Sequence, residues 1–408
     1  MPYYRRNLYI LSTTIFLAAV SWTQIMPFLP LFMKEMGVKH NLLQWVGVVF
    51  AAQSVASIIS MPFWGRLGDR YGQKPMVLRA GFCLAGIYIG MSMCHTPLQL
   101  VIFRFLNGAL TGFIPGSMAL IATNTPQEHA PKAMATAQSA SAAGQIAGPV
   151  IGAALAAVAG YRGSMQLSGI AVLLSTIAVW RLVEEPNKVR LAHQTSMLQD
   201  FAVSLRSRML SSIMLTLLLT GVFVTAIITI LTLHIAKISE GAPDWLTGVV
   251  FSLHPIAFVL TAHQWARIGE RRGYFKAIQA GMIGAAIGAL ILTTIKDIWA
   301  FSAIYFIVGV FLAAVAPAAG AIICTQVKET FRGRAYGMQM SAGMLGGMIA
   351  PLMASNLGAA YGIPSVFAFV GAVLLAGSFA LPFLVKGRRD QADDEELLME
   401  SIHYGGKR

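Results

Sequence analysis

Asp69 is a carboxylate set among Arg66, Arg70 and Lys74 in the run Trp64-Gly-Arg-Leu-Gly-Asp-Arg-Tyr-Gly-Gln-Lys74, between two long apolar stretches. On a short interhelical loop, an acid so surrounded can bond a neighbouring helix N-terminus or pair with an arginine, and so act as a latch. Gly68 and Gly72 give such a turn its backbone freedom, which favours the latch over the plain topology-setting role that the same charges also suit. Arg104 poses a different problem, because it lies inside the apolar run 98–122. A guanidinium there costs about 2.5–3.5 kcal/mol on insertion scales, so it faces protein or water rather than lipid. It can bind an anionic group, steer a proton, or simply bond backbone carbonyls.

The acids are informative by position. All 17 Asp and Glu fall in polar segments or at the ends of apolar runs. A proton carrier would therefore be Asp69 or Glu35 at the end of a run, or a histidine. His254, in the middle of the run 245–264, is the candidate there, since imidazole titrates near neutral pH; the alternative is one interhelical hydrogen bond. Gln24, Asn107, Gln138 and Tyr305 sit on other runs and place single polar groups on apolar walls. That pattern suits neutral or anionic amphipathic solutes, or serves as glue between helices. Gly144, Gly148 and Gly152, at four-residue spacing, let a helix approach a partner closely, and Pro149 removes a backbone bond and bends it. Cys83, Cys94 and Cys324 have no metal-ligand spacing and read as buried inert thiols. No metal and no cofactor is expected. Without a nucleophile–base pair or a phosphate-binding loop, an enzyme is not expected either.

The elements that position these residues follow from composition. Hydrophobic residues make up 56% of the chain and charged residues 12%, against about 25% charge in soluble domains. Twelve apolar runs are long enough for about 30 Å of hydrocarbon: 7–33, 42–63, 75–95, 98–122, 138–160, 164–182, 209–235, 245–264, 277–295, 298–323, 338–360 and 364–385. With the N-terminus cytoplasmic, 24 of the 30 Lys and Arg lie on the cytoplasmic side, which puts both termini there. The net charge of +13 is thus an orientation signal, and no nucleic-acid partner is expected. The chain divides into a six-helix bundle (1–182), a cytoplasmic linker (183–208), a second bundle (209–386) and a cytoplasmic tail (387–408), and is expected to be a monomer in the lipid bilayer.

The run at Trp64 returns 201 positions later as Trp265-Ala-Arg-Ile-Gly-Glu-Arg-Arg-Gly-Tyr-Phe275, with Glu270 and Arg271 in place of Asp69 and Arg70. Gly144, Pro149 and Gly160 return as Gly346, Pro351 and Gly362. A doubled set of six helices with matching landmarks resembles the major facilitator superfamily, over nearly the whole chain. Gly65-x-x-x-Asp69-Arg70-x-Gly72-x-Lys74 is similar to the family's signature loop, and Leu100-x-x-x-Arg104-x-x-x-Gly108 to the span-four motif of its proton-linked members. Gly144-x-x-x-Gly148-Pro149-x-x-Gly152 resembles the span-five motif of its exporters. Gln73, Ala153 and Ala266 depart from these patterns. The resemblance implies an inner-membrane, proton-coupled antiporter of the 12-helix multidrug branch, working by alternating access. The alternative is a dedicated transporter of an anionic metabolite, such as a carboxylate siderophore, exporting or importing through Arg104. A non-transporting sensor is a third reading, disfavoured because no appended soluble domain is visible.

Overall fold

The structure is a computed structural model that describes residues 2–110, 112–186, 207–239, 243–327 and 329–385. Among the described residues there is no strand, and the side chains of Arg66 and Asp69 lie outside the description. Most of the expected linker and all of the expected tail lie outside it too.

Fourteen helices are found among the described residues. In chain order they are α1 (Tyr3–Ile25), α2 (Leu29–Glu35), α3 (Leu42–Tyr71), α4 (Gln73–Ser92), α5 (Pro97–Leu110), α6 (Phe113–Asn124) and α7 (Ala130–Leu182). Then follow α8 (Arg208–Ile238), α9 (Asp244–Arg272), α10 (Tyr274–Leu292), α11 (Ile298–Leu312), α12 (Val315–Gln326), α13 (Glu329–Tyr361) and α14 (Ile363–Val385). Ten helical stretches among the described residues are long and apolar enough to cross a membrane. The protein is an all-helical, multi-pass membrane protein.

Several runs differ in detail from their expected form. The run 98–122 is α5 followed by α6, parted where Gly112 takes φ 121°, a conformation that costs a side-chain-bearing residue strain. The runs 138–160 and 164–182 join in α7, which starts eight residues early and breaks only at Gly160 (φ 69°, ψ 173°). Helix α3 continues well past the apolar run 42–63, so the charged motif belongs to its last turns. Long Arg and Lys stems can lie along the helix while their heads reach polar surroundings, which lets a helix run past its apolar stretch. Cys94 is buried, but Cys83 is half-buried and Cys324 is exposed and lies 3.3 Å from the Tyr336 hydroxyl, so the expectation of three buried thiols holds for Cys94 and not for the other two.

The chain forms two compact units. The first gathers Met1–Leu191 with Ile228–Ile256 and Pro351–Ala360; the second holds Ala192–Ile227, Ala257–Ala350 and Tyr361–Arg408. In the first unit, one apolar core collects Phe32, Val49, Tyr88, Met91 and Leu100, and another Leu11, Val77, Phe113, Leu120 and Val179. Helices α1 and α7 touch backbone to backbone, because α7 presents glycine. A Cβ at Gly144 would stand 2.6 Å from the Phe16 carbonyl, and one at Gly152 2.7 Å from the Gln24 carbonyl. In the second unit α13 repeats the device, with Gly346 set against the Leu218 carbonyl and Gly343 against Gly221 of α8.

Candidate functional site

The signature residues form a helix end and a one-residue turn rather than a loop. Asp69 and Arg70 occupy the last turn of α3, Gly72 makes the corner at φ 101°, and α4 begins at Gln73. What holds this corner is a residue the sequence reading assigned to the linker. The Glu185 carboxylate accepts from the Gln73 amide (2.7 Å) and the Lys74 amide (3.1 Å), placing an anion on the free N–H groups of α4. Lys74 answers in the opposite sense: its Nζ donates to the carbonyls of Val183 (2.7 Å) and Trp180 (3.0 Å) at the C-terminal end of α7. Two helix ends of opposite polarity thus exchange counter-charges. Next door, Glu184 accepts from Arg6 and exchanges two hydrogen bonds with Asn7 of α1. The cue was the acid pair before Pro186, directly after an apolar run.

Among the described residues, the second copy keeps the frame without the clamp. Gly273 makes the corner at φ 96°, α10 starts at Tyr274, and Glu270 and Arg271 sit exposed at the end of α9. A Cβ on Gly273 would meet nothing within 4 Å, whereas one on Gly72 would lie 2.8 Å from the Glu185 carboxylate. The tryptophans explain the doubled motif better than the charges do. Trp64 donates its indole N–H to the Ala109 carbonyl at 2.7 Å, and Trp265 does the same to Val310 at 2.7 Å. Both bonds span 45 residues.

Arg104 is 1% exposed, on the face of α5 that meets α3 and α4. Its guanidinium carbon lies 5.4 Å from the Phe50 ring centroid, and its Nε and Nη1 are buried with no hydrogen-bond partner. The Tyr88 hydroxyl of α4 lies beside it and beside the Asn107 amide, one turn further along α5. Three helices therefore bring a cation, a phenol, an amide and an aromatic face together in a dry place. Such a cluster can hold an anion or pass a proton between heteroatoms. Gln24 is buried in α1 and donates to the Ser164 carbonyl at 3.4 Å. Gln138 is exposed on α7, and His254 is partly buried on α9 immediately before Pro255. Tyr305 is buried in the second unit, stacked on Phe301 at 6.2 Å. Of the pathway candidates, only Arg104 and Asn107 are brought together.

Gly144, Gly148, Pro149 and Gly152 lie in α7, and the backbone at Pro149 stays helical. Their glycine face packs on α1; Pro149 itself faces α9, where a Cβ on Gly248 would stand 2.5 Å from its carbonyl. On the same face of α9, Ser252 donates to the Ile146 carbonyl at 2.8 Å. Just past the Gly160 break, the Tyr161 hydroxyl donates to Asp244 at 3.0 Å. Asp244, Gly248 and Ser252 are four residues apart, so one stripe of α9 meets α7 three times.

The profile described as Major Facilitator Superfamily matches residues 11–243 and again 213–400. Over 377 residues the chain is 30% identical to the multidrug resistance protein MdtG of Proteus mirabilis, covering 91% of this chain and 94% of that protein. Among solved structures, a bacterial homolog of the human lysosomal transporter Spinster, inward-facing and unoccupied, superposes with a TM-score of 0.76 at 12% identity. That match covers 95% of this chain and 96% of the other. The nucleoside transporter NupG gives a TM-score of 0.78 at 12% identity, over 93% and 99% of the two chains. At that identity these two structures speak to the fold alone.

Proposed function

The chain belongs to the major facilitator superfamily, and from that membership we propose that it is a proton-driven exporter of hydrophobic and amphipathic small molecules. It is a multi-pass transporter of the bacterial inner membrane and not an enzyme. The observation that carries the export reading is the 30% identity to a multidrug resistance protein along 91% of the chain. In this reading two six-helix bundles, 1–182 and 209–386, rock about the site, with both termini in the cytoplasm. Twelve crossings result when α7 crosses twice about Gly160 and the small-residue helix α13 crosses once. The matched indole bonds of Trp64 and Trp265 support the repeat.

Proton coupling is assigned to His254 as the carrier, with the Arg104, Tyr88 and Asn107 cluster steering it. An imidazole takes up and releases a proton near neutral pH, whereas a guanidinium stays charged and a phenol and an amide stay neutral, so Arg104 acts through its fixed charge. The unmet Nε and Nη1 donors of Arg104 also favour a second reading, in which they bind an anionic metabolite such as a carboxylate siderophore.

A substrate panel in proteoliposomes with an imposed pH gradient tests both. Accumulation of lipophilic neutral dyes, collapsing with the gradient and falling at least tenfold in Arg104→Ala, is expected. Flux of a carboxylate solute alone, lost in Arg104→Ala, would replace the first reading with the second. Flux that ignores the gradient would end the proton-coupling assignment.

A further inference from the structure

We propose that Tyr161 and Asp244 form a latch that closes the transport path on the side of the membrane opposite the signature turns, and that breaking this one hydrogen bond is required in each transport cycle. The proposal rests on the alternating-access reading above.

The placement follows from the helices. Asp244 is the first residue of α9, whose other end, at Arg272, carries the second signature copy. Asp244 and Tyr161 therefore lie at the far end of their helices from that turn. Tyr161 comes from the first repeat and Asp244 from the second, and both belong to the first compact unit. Members of this family open one side by separating the repeats, so a bond between them on that side has to form and break.

The local build shows a group held for this purpose. Gly160 takes φ 69°, which ends the first half of α7 and swings the next residue sideways. Tyr161 then stacks on Phe28 at 5.9 Å, fixing the ring so that its hydroxyl reaches Asp244. Arg162 anchors the same corner within the first repeat: it donates to the Ser92 carbonyl at 2.6 Å and lies 5.2 Å from the Phe32 ring centroid. The first-repeat side is thus rigid and presents one donor. The second-repeat side presents a carboxylate at a helix N-terminus. The bond is half-exposed, so it is exchangeable with water, unlike the close Gly248–Pro149 contact one turn deeper. Thr232 adds a neutral bond across the same side, to the Pro27 carbonyl at 2.7 Å.

The reporter is Ser252→Cys, an isosteric change in the seam between α7 and α9, in a background with Cys83, Cys94 and Cys324 changed to Ser. Its labelling by a membrane-impermeant maleimide from the outer face reads seam opening without any substrate. Tyr161→Phe and Asp244→Ala should each raise the labelling rate about tenfold, the scale set by losing one hydrogen bond to a carboxylate. The pair together should do no more than either alone, because only one bond is lost. Asp244→Glu, which keeps the acceptor, should label within about twofold of the parent, separating the bond from general loosening. Unchanged labelling in both single variants, or independent addition of the two, overturns the latch. Fast labelling in the variants with no flux of any solute by the parent keeps the latch and discards the export reading; unchanged labelling with gradient-driven flux does the reverse.

Discussion

At the signature turn a glutamate and a lysine each neutralise the helix end that suits them. Glu185 takes two amides at the start of α4, and Lys74 takes two carbonyls at the end of α7. Each interaction is a charge on a helix end, and each also ties the C-terminal end of α7 to the start of α4. Glu185 is partly exposed, so its contribution stays near the lower part of the range for capping charges. Glu185→Ala is expected to cost about 0.5–1 kcal/mol, seen as a lowered melting temperature of detergent-purified protein, and Glu185→Gln about half of that. A melting temperature unchanged in Glu185→Ala would mean that the clamp is incidental. Gly72 is constrained twice over, by its φ of 101° and by the carboxylate beside it. Gly72→Ala should therefore cost more than Gly273→Ala, whose φ is similarly positive but whose surroundings are open.

Helix α9 meets α7 through a stripe of one acid, one glycine and one serine, and the middle position sets the distance. With Gly248 the backbones touch; any side chain there must push Pro149 away. Gly248→Val is expected to speed outer-face labelling of Ser252→Cys at least tenfold while leaving the α1–α7 glycine contact undisturbed. Unaltered labelling in that variant would show that the seam gives elsewhere. A similar tight approach joins α3 to α13, where Gly47 lies against Ser355 and the Pro351 carbonyl. Prolines 149 and 351, read from the sequence as kinks, act here as carbonyls that accept a close glycine neighbour. The backbone at Pro149 keeps helical angles, and the break in them falls at Gly160.

Across the whole molecule, what could be read from the sequence was whatever repeats or runs long. Apolar length placed the helices, and the doubled Trp-Gly/Ala-Arg motif placed the two corners, because both are periodic properties of the chain. The partners of those corners were not legible, since Glu185, Tyr161 and Asp244 act through neighbours 83 to 112 positions away. Arg104 was legible as a cost; Tyr88 was not, because a tyrosine in an apolar helix carries no such cost until its neighbours are known. The repeat also hides an asymmetry that the structure makes testable. Trp64 and Trp265 make the same indole bond, so losing it should cost each corner about 1 kcal/mol. Trp64 additionally carries the Arg79 guanidinium 3.3 Å from its ring centroid, while Trp265, among the described residues, meets the tilted ring of Phe311 at 6.0 Å. A cation on a tryptophan face in a desolvated setting adds about 0.5–2 kcal/mol. Arg79 would also be left buried against a poorer face when the indole shrinks to phenyl. Trp64→Phe should therefore lower the melting temperature more than Trp265→Phe, and Arg79→Met should close most of the gap between them. Equal losses in the two tryptophan variants would mean that the two corners are equivalent, and that the extra contacts around the first one carry no weight.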